Sequence, residues 1–122
     1  MPQQLIPGPD HPITVEPNPA RVVVKAAGQV IASTTRAQVL REASYPAVQY
    51  IPLADVAEGV LERTEHHTYC PYKGEASYYT LTAVPEGENA VWVYEQPYAA
   101  VADIAGHVAF YPDRVEVEEV PA

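Results

Sequence analysis

No stretch of this chain runs far before a proline, a glycine or a cluster of turn-forming residues interrupts it; 122 residues carry 13 prolines and 6 glycines. That punctuation rules out long helices and favours short strands joined by turns. Residues 21–25 and 29–33 are β-branched runs on either side of Ala26-Ala27-Gly28, a loop of hairpin length. Residues 37–42, with Val39 and Leu40 for the core, and 47–51, with Val48 and Tyr50, read as two more short strands. Runs 64–70 and 75–83 flank Pro71-Tyr72-Lys73-Gly74, and run 90–95 around Trp92 follows a turn at 85–89. Residues 107–111 and 114–118 make a final hairpin across Pro112-Asp113. Helical signals are brief: 53–61, where Asp55 could cap and Val56, Val60 and Leu61 share approximate helical spacing, and 98–105, between Pro97 and Gly106. The pattern predicts an all-β sandwich or barrel-like sheet with one or two short helices.

Residues 1–19 hold Pro2, Pro7, Pro9, Pro12, Pro17 and Pro19, a density that removes backbone donors and favours extended chain. We read 1–19 as a proline-rich tail able to dock through Leu5, Ile6, Ile13 and Val15, 20–118 as a single β domain, and 119–122 as a frayed acidic end. A net charge of −9 with 7 basic residues argues against the phosphate-neutralising surface that duplex DNA or an anionic membrane requires. One cysteine allows no internal disulfide and no cysteine-rich zinc site, and the amino terminus lacks a basic start and an apolar signal core. The expectation is a soluble cytoplasmic protein with no cofactor.

The chemistry-bearing stretch is His66 to Tyr79, where the only cysteine lies three residues before Lys73 at a turn. An ammonium near a thiol favours thiolate, which makes Cys70 a candidate nucleophile with Lys73 and with His66 as base. A free cysteine is also commonly a small buried hydrophobe. Strand alternation puts His66, Thr68 and Cys70 on one face and His67 and Tyr69 on the other. A turn of two or four residues would add Ser77 and Tyr79 to the Cys70 face; a three-residue turn would reverse this. A metal site from His66, His67 and His107 is disfavoured, because His66 and His67 point apart. Arg41 offers a fork to a carboxylate or phosphate, or else pairs with Glu42 or Asp55. Tyr50, Tyr78, Tyr79, Tyr94 and Trp92 supply either aromatic walls for a ligand or core.

Arg41-Glu42, Tyr50-Ile51-Pro52 with Asp55, His66 four residues before Cys70, the CPYKG run 70–74, Ala76-Ser77-Tyr78-Tyr79 and the ending IAGHVAFYPDRVEV occur in one order and spacing. This combination resembles the bacterial family catalogued as domain of unknown function 427, over roughly residues 20–118. The resemblance implies a compact Mss4-like or β-tent fold, a group that includes zinc-bound methionine sulfoxide reductases and ligand-binding cereblon domains. The paired cysteines that hold zinc in those relatives are missing here. The family label sometimes includes "nucleotidyltransferase", yet no phosphate-binding glycine loop or metal-binding carboxylate pair matches it in this sequence.

Two main functional classes follow, and the sequence leaves open whether the chain is an enzyme. One is a module that binds a small anionic or carbonyl-bearing ligand near the CPYKG hairpin through Arg41, Lys73, Tyr50, Tyr79 and Trp92. The other is an enzyme in which Cys70 attacks, His66 is the base, and Arg41 with Lys73 stabilises negative charge during group transfer. A protein-interaction domain using the acidic surface and the tail is a third. The expected partner is a small molecule of unknown identity, with a homodimer left open and neither nucleic acid nor membrane expected.

Overall fold

The computed structural model describes residues 3–121, so Met1 and Pro2 of the segment read as a tail, and Ala122 of the end read as frayed, lie outside it. Ten strands follow one another: β1 (Ile13–Asn18), β2 (Arg21–Ala26), β3 (Gln29–Thr34), β4 (Ala37–Glu42), β5 (Val48–Pro52), β6 (Leu61–Cys70), β7 (Gly74–Leu81), β8 (Val91–Val93), β9 (His107–Phe110) and β10 (Glu116–Val120). They form a seven-stranded sheet in the order β1-β4-β5-β9-β8-β7-β6 and a three-stranded sheet in the order β10-β2-β3. Every pairing is antiparallel, and neither sheet closes into a barrel. The fold is all-β.

Side-chain alternation gives the large sheet two buried faces. On its inner face Ile51, Leu81, Val91, Val93 and Val108 pack against Val22, Val24 and Ile31 of the small sheet. Each of these aliphatic side chains is at most 1 % exposed, and each contributes about 1.5–3 kcal/mol by leaving water. On the outer face Leu40, Tyr50, Ala76, Tyr78, Tyr94 and Ala109 form a second cluster with Val101 and Ile104. The last two belong to a 3-10 segment, Ala99–Ile104, which supplies this aromatic face with its cover. Burial on both sides explains why β8 and β9 read as continuous apolar runs rather than as alternating ones.

The β2–β3 connection is a two-residue turn, Ala27-Gly28, with both φ angles positive at 52° and 77°. This geometry matches the twist of the flanking strands, and Gly28 adopts it without strain whereas Ala27 does not. Four features differ from the sequence expectation. Residues 107–111 and 114–118 do not form a hairpin: β9 pairs with β5 and β8 in the large sheet, while β10 pairs with β2 in the small one. Residues 13–18, read as tail, are an edge strand paired over six positions with β4; Pro17 is tolerated there because an edge strand needs no donor on its free side. Pairing at the other end runs through Val120, because Glu119 lies opposite Val22 and Val120 opposite Arg21 on β2. The helical reading of 53–61 shrinks to the 3-10 turn Leu53–Asp55. Asp55 caps nothing: it accepts hydrogen bonds from Thr34 Oγ1 at 2.7 Å and from Arg36, while Leu61 already belongs to β6.

Candidate functional site

The β6–β7 turn decides which residues meet. Cys70 pairs with Gly74, so the loop is three residues, Pro71-Tyr72-Lys73, and Gly74 takes a φ of 109° that a side chain would resist. The three-residue loop sends Ser77 and Tyr79 to the inner face with His67, and brings Ala76 and Tyr78 to the face of Thr68 and Cys70. Thr68 Oγ1 accordingly lies 2.8 Å from the Tyr78 hydroxyl.

Lys73 turns in from this loop. Its Nζ donates to Glu42 Oε1 at 2.7 Å, and both side chains are 13 % exposed. The other carboxylate oxygen of Glu42 accepts from His11 Nε2 at 2.7 Å. The His11 ring stacks on Tyr72 with centroids 4.2 Å apart, and Lys73 Nζ lies 5.8 Å from the Tyr94 ring centroid. Burial opposes ionisation of Glu42, but the hydrogen bonds from Lys73 and His11, with their charges, outweigh it and hold the carboxyl below its ordinary value. Leu5 N donates to the Pro71 carbonyl at 2.9 Å and the Tyr69 hydroxyl donates to the Gln3 carbonyl at 3.1 Å. The amino-terminal segment is thus strapped over the hairpin, with a charged clamp beneath it.

The sequence candidates divide between the two faces. Cys70, Lys73, Tyr50 and Trp92 share the outer face or its rim. Cys70 is half-buried and packs against the aromatic cluster. Tyr50 is 1 % exposed, and its hydroxyl accepts from Trp92 Nε1 at 3.1 Å. Burial pushes the Tyr50 hydroxyl far above its usual pKa, and the charge of Glu42 pushes the same way. Arg41 alternates away from Glu42 and is exposed, and no carboxylate among the described residues pairs with it. Tyr79 faces inward, beneath the Arg63 guanidinium at 5.6 Å from its ring centroid. His66 is exposed on β6, its ring edge against Tyr78. Four residues of extended strand separate His66 from Cys70 by roughly 13 Å, too far for it to serve as that thiol's base.

An apolar cleft lies elsewhere. Residue pairing between β5 and β9 covers only Ile51↔Val108 and Pro52↔His107; no pairing joins Gln49 to Phe110, and the strands part there. A cleft of about 400 Å³ enters at this parting. Val48, Gln49 and Ile51 line it from β5, Phe110 and Pro112 from the β9 side, and Trp92, Tyr45, Pro46, Ala47, Val24 and Val117 complete the wall. None of these residues is charged. The polar lining side chain, Gln49, is already engaged: its carbonyl oxygen accepts from Asn18 at 3.2 Å and its amide donates to Glu119 at 2.8 Å.

The model of the family described as domain of unknown function (DUF427) matches residues 14–121. The chain belongs to that family. No curated protein sequence matches the chain. In this DUF427 domain the matched region takes in β1 from Thr14 onward, Glu42, the CPYKG hairpin and every residue of the cleft. His11 and the strap residues Gln3 and Leu5 precede it. Sequence reasoning did not single out Glu42 as the partner of Lys73, nor His11 and Tyr72 as the groups that complete the clamp on Glu42, nor the 45–49 segment as a cleft wall. The scarcity of cations in the chain was a usable signal for the first, since a lysine turned inward must find one of the many carboxylates. No local pattern marks the second, because it arises where two strands far apart in sequence fail to stay paired.

Proposed function

We propose that this DUF427 domain is a binding module for a small, largely apolar molecule held in the cleft beside Trp92. The observation that carries this reading is the cleft itself: about 400 Å³, apolar, floored by a tryptophan and opened by the parting of β5 and β9. Concave apolar sites with few polar groups are the common form of small-molecule sites. Of the two ligand types suggested by the sequence, the anionic one loses its support. Lys73 is held by Glu42, and neither Lys73 nor Arg41 nor any other cation lines the cleft. A carbonyl-bearing ligand keeps its place.

The same geometry weighs against the Cys70 nucleophile. The ammonium meant to activate the thiol is committed to a carboxylate, and His66 is roughly 13 Å away along the strand.

Trp92 is the only tryptophan, so its emission reports the cleft directly. Titration with toluene, indole-free phenols and benzamides is expected to give saturable changes, and Val48→Phe, which fills the wall, is expected to remove them while the thermal midpoint stays near wild type. Absence of any saturable response up to the solubility of the probes would refute the reading.

A further inference from the structure

Resting on the Trp92 cleft as the site, we infer that its ligand carries an open-chain secondary amide beside an apolar group, and that this amide takes the place of a missing rung between β5 and β9. The argument comes from the alternation of hydrogen bonds in antiparallel ladders. Tyr111 N donates to the Ala90 carbonyl at 2.9 Å, beyond the end of the β8–β9 ladder. Along β9 the backbone groups of Ala109 and Tyr111 therefore face β8, and those of Val108 and Phe110 face β5. Leu53 N donates to the Gly106 carbonyl at 3.2 Å, which makes Leu53 and Gly106 a hydrogen-bonded pair across β5 and β9. Ile51 and Val108 are the next such pair, and Gln49 and Phe110 would be the one after.

That last pairing is not formed. Gln49 and Phe110 both line the cleft, with their N–H and C=O groups directed toward one another across it. Buried backbone groups require partners, and a gap that separates two strands at a would-be rung leaves four such groups for water or a ligand. A trans secondary amide fits this demand because its C=O and N–H point in opposite directions. It can accept from the N–H of one strand while donating to the C=O of the other, as a peptide unit does in a sheet. The surrounding wall then receives the apolar part of the molecule, with Trp92 as its aromatic platform.

The test compares N-methylbenzamide with methyl benzoate, which has the same ring and carbonyl but no N–H and is the more apolar of the two. Trp92 emission gives the dissociation constants, and amide chemical shifts in ¹⁵N-labelled protein locate the contact. The inference expects N-methylbenzamide to bind at least about tenfold more tightly, as one hydrogen bond with a buried partner requires, with Gln49 and Phe110 among the amides that shift most. Gln49→Pro removes an N–H that faces the cleft rather than β4, and is expected to reduce that preference to threefold or less. Equal affinity for the two probes, or tighter binding of the ester, overturns the amide inference while leaving the cleft as a site. If neither probe nor toluene binds, the cleft reading fails and this inference fails with it.

Discussion

Replacing Lys73 with methionine removes the charge at the CPYKG turn while keeping an unbranched apolar side chain one atom shorter. The variant removes an ammonium 2.7 Å from Glu42 Oε1 in a pair whose members are each 13 % exposed. Exposed pairs are worth about 0–1 kcal/mol, and breaking a fully buried one costs about 3–5 kcal/mol. This pair lies between those limits, and His11 still donates to the second oxygen of the orphaned carboxylate, so the expected loss is about 2 kcal/mol. At about 4 °C per kcal/mol for a chain of this length, the thermal midpoint should fall by roughly 8 °C near neutral pH. Adding Glu42→Gln to Lys73→Met should restore at least about half of the loss, because no unpaired charge then remains. The sign with pH is fixed by Glu42, whose carboxyl is held below its ordinary value in the fold. Its contribution is present above the unfolded pKa and is lost as pH falls through the lowered folded value. The gap between wild type and Lys73→Met should therefore narrow below about pH 4. Circular-dichroism melts of the three proteins at about pH 7.5 and about pH 3.5 provide the measurement. A gap under roughly 2 °C at the higher pH, or one unchanged at the lower pH, would refute the clamp as an electrostatic element.

Three further outcomes are expected. Gly87→Ala should destabilise by more than about 3 kcal/mol in urea titrations, since the added Cβ would collide with the Leu81 carbonyl while the Leu81 N to Gly87 O bond of 2.8 Å pins the two segments together. Trp92→Phe should cost about 1–2 kcal/mol by the same assay, because it leaves the buried Tyr50 hydroxyl without its 3.1 Å donor. Thr34→Val removes the largest cause of the lowered Asp55 pKa, so the carboxyl should titrate higher by NMR and the variant should lose less stability than wild type as pH falls from neutral toward about pH 3.

Most strands were legible because β-branched runs and turn residues lie close together in sequence. The run 37–42 coincides with β4, and the boundaries of β2 and β3 move by one residue. What escaped depended on partners distant in sequence. Nothing local tells Ile13–Asn18 that Ala37–Glu42 will offer a free edge, and Pro17 within it with Pro12 and Pro19 on either side argue for the opposite. At the CPYKG hairpin the sequence left the turn length open; the three-residue loop puts Ser77 and Tyr79 on the inner face and Tyr78 on the outer, and neither Cys70 nor Lys73 lines the Trp92 cleft. The separation of His66 from Cys70, by contrast, follows from strand rise alone and needed no structure.

The buried Asn18 binds both Gln49 and Glu119 through its side-chain amide, at 3.2 Å and 2.9 Å, and so knots the first strand, the cleft wall and the last strand together. During synthesis this knot cannot tighten until Glu119 has been made. At about 5–20 residues per second, the hundred or so residues that separate Asn18 from Glu119 take roughly 5–20 s. For that interval the half-formed sheet shows unpaired edges to its surroundings, so encounters with chaperones, and losses to aggregation at high expression, should concentrate in the nascent chain rather than in the finished protein.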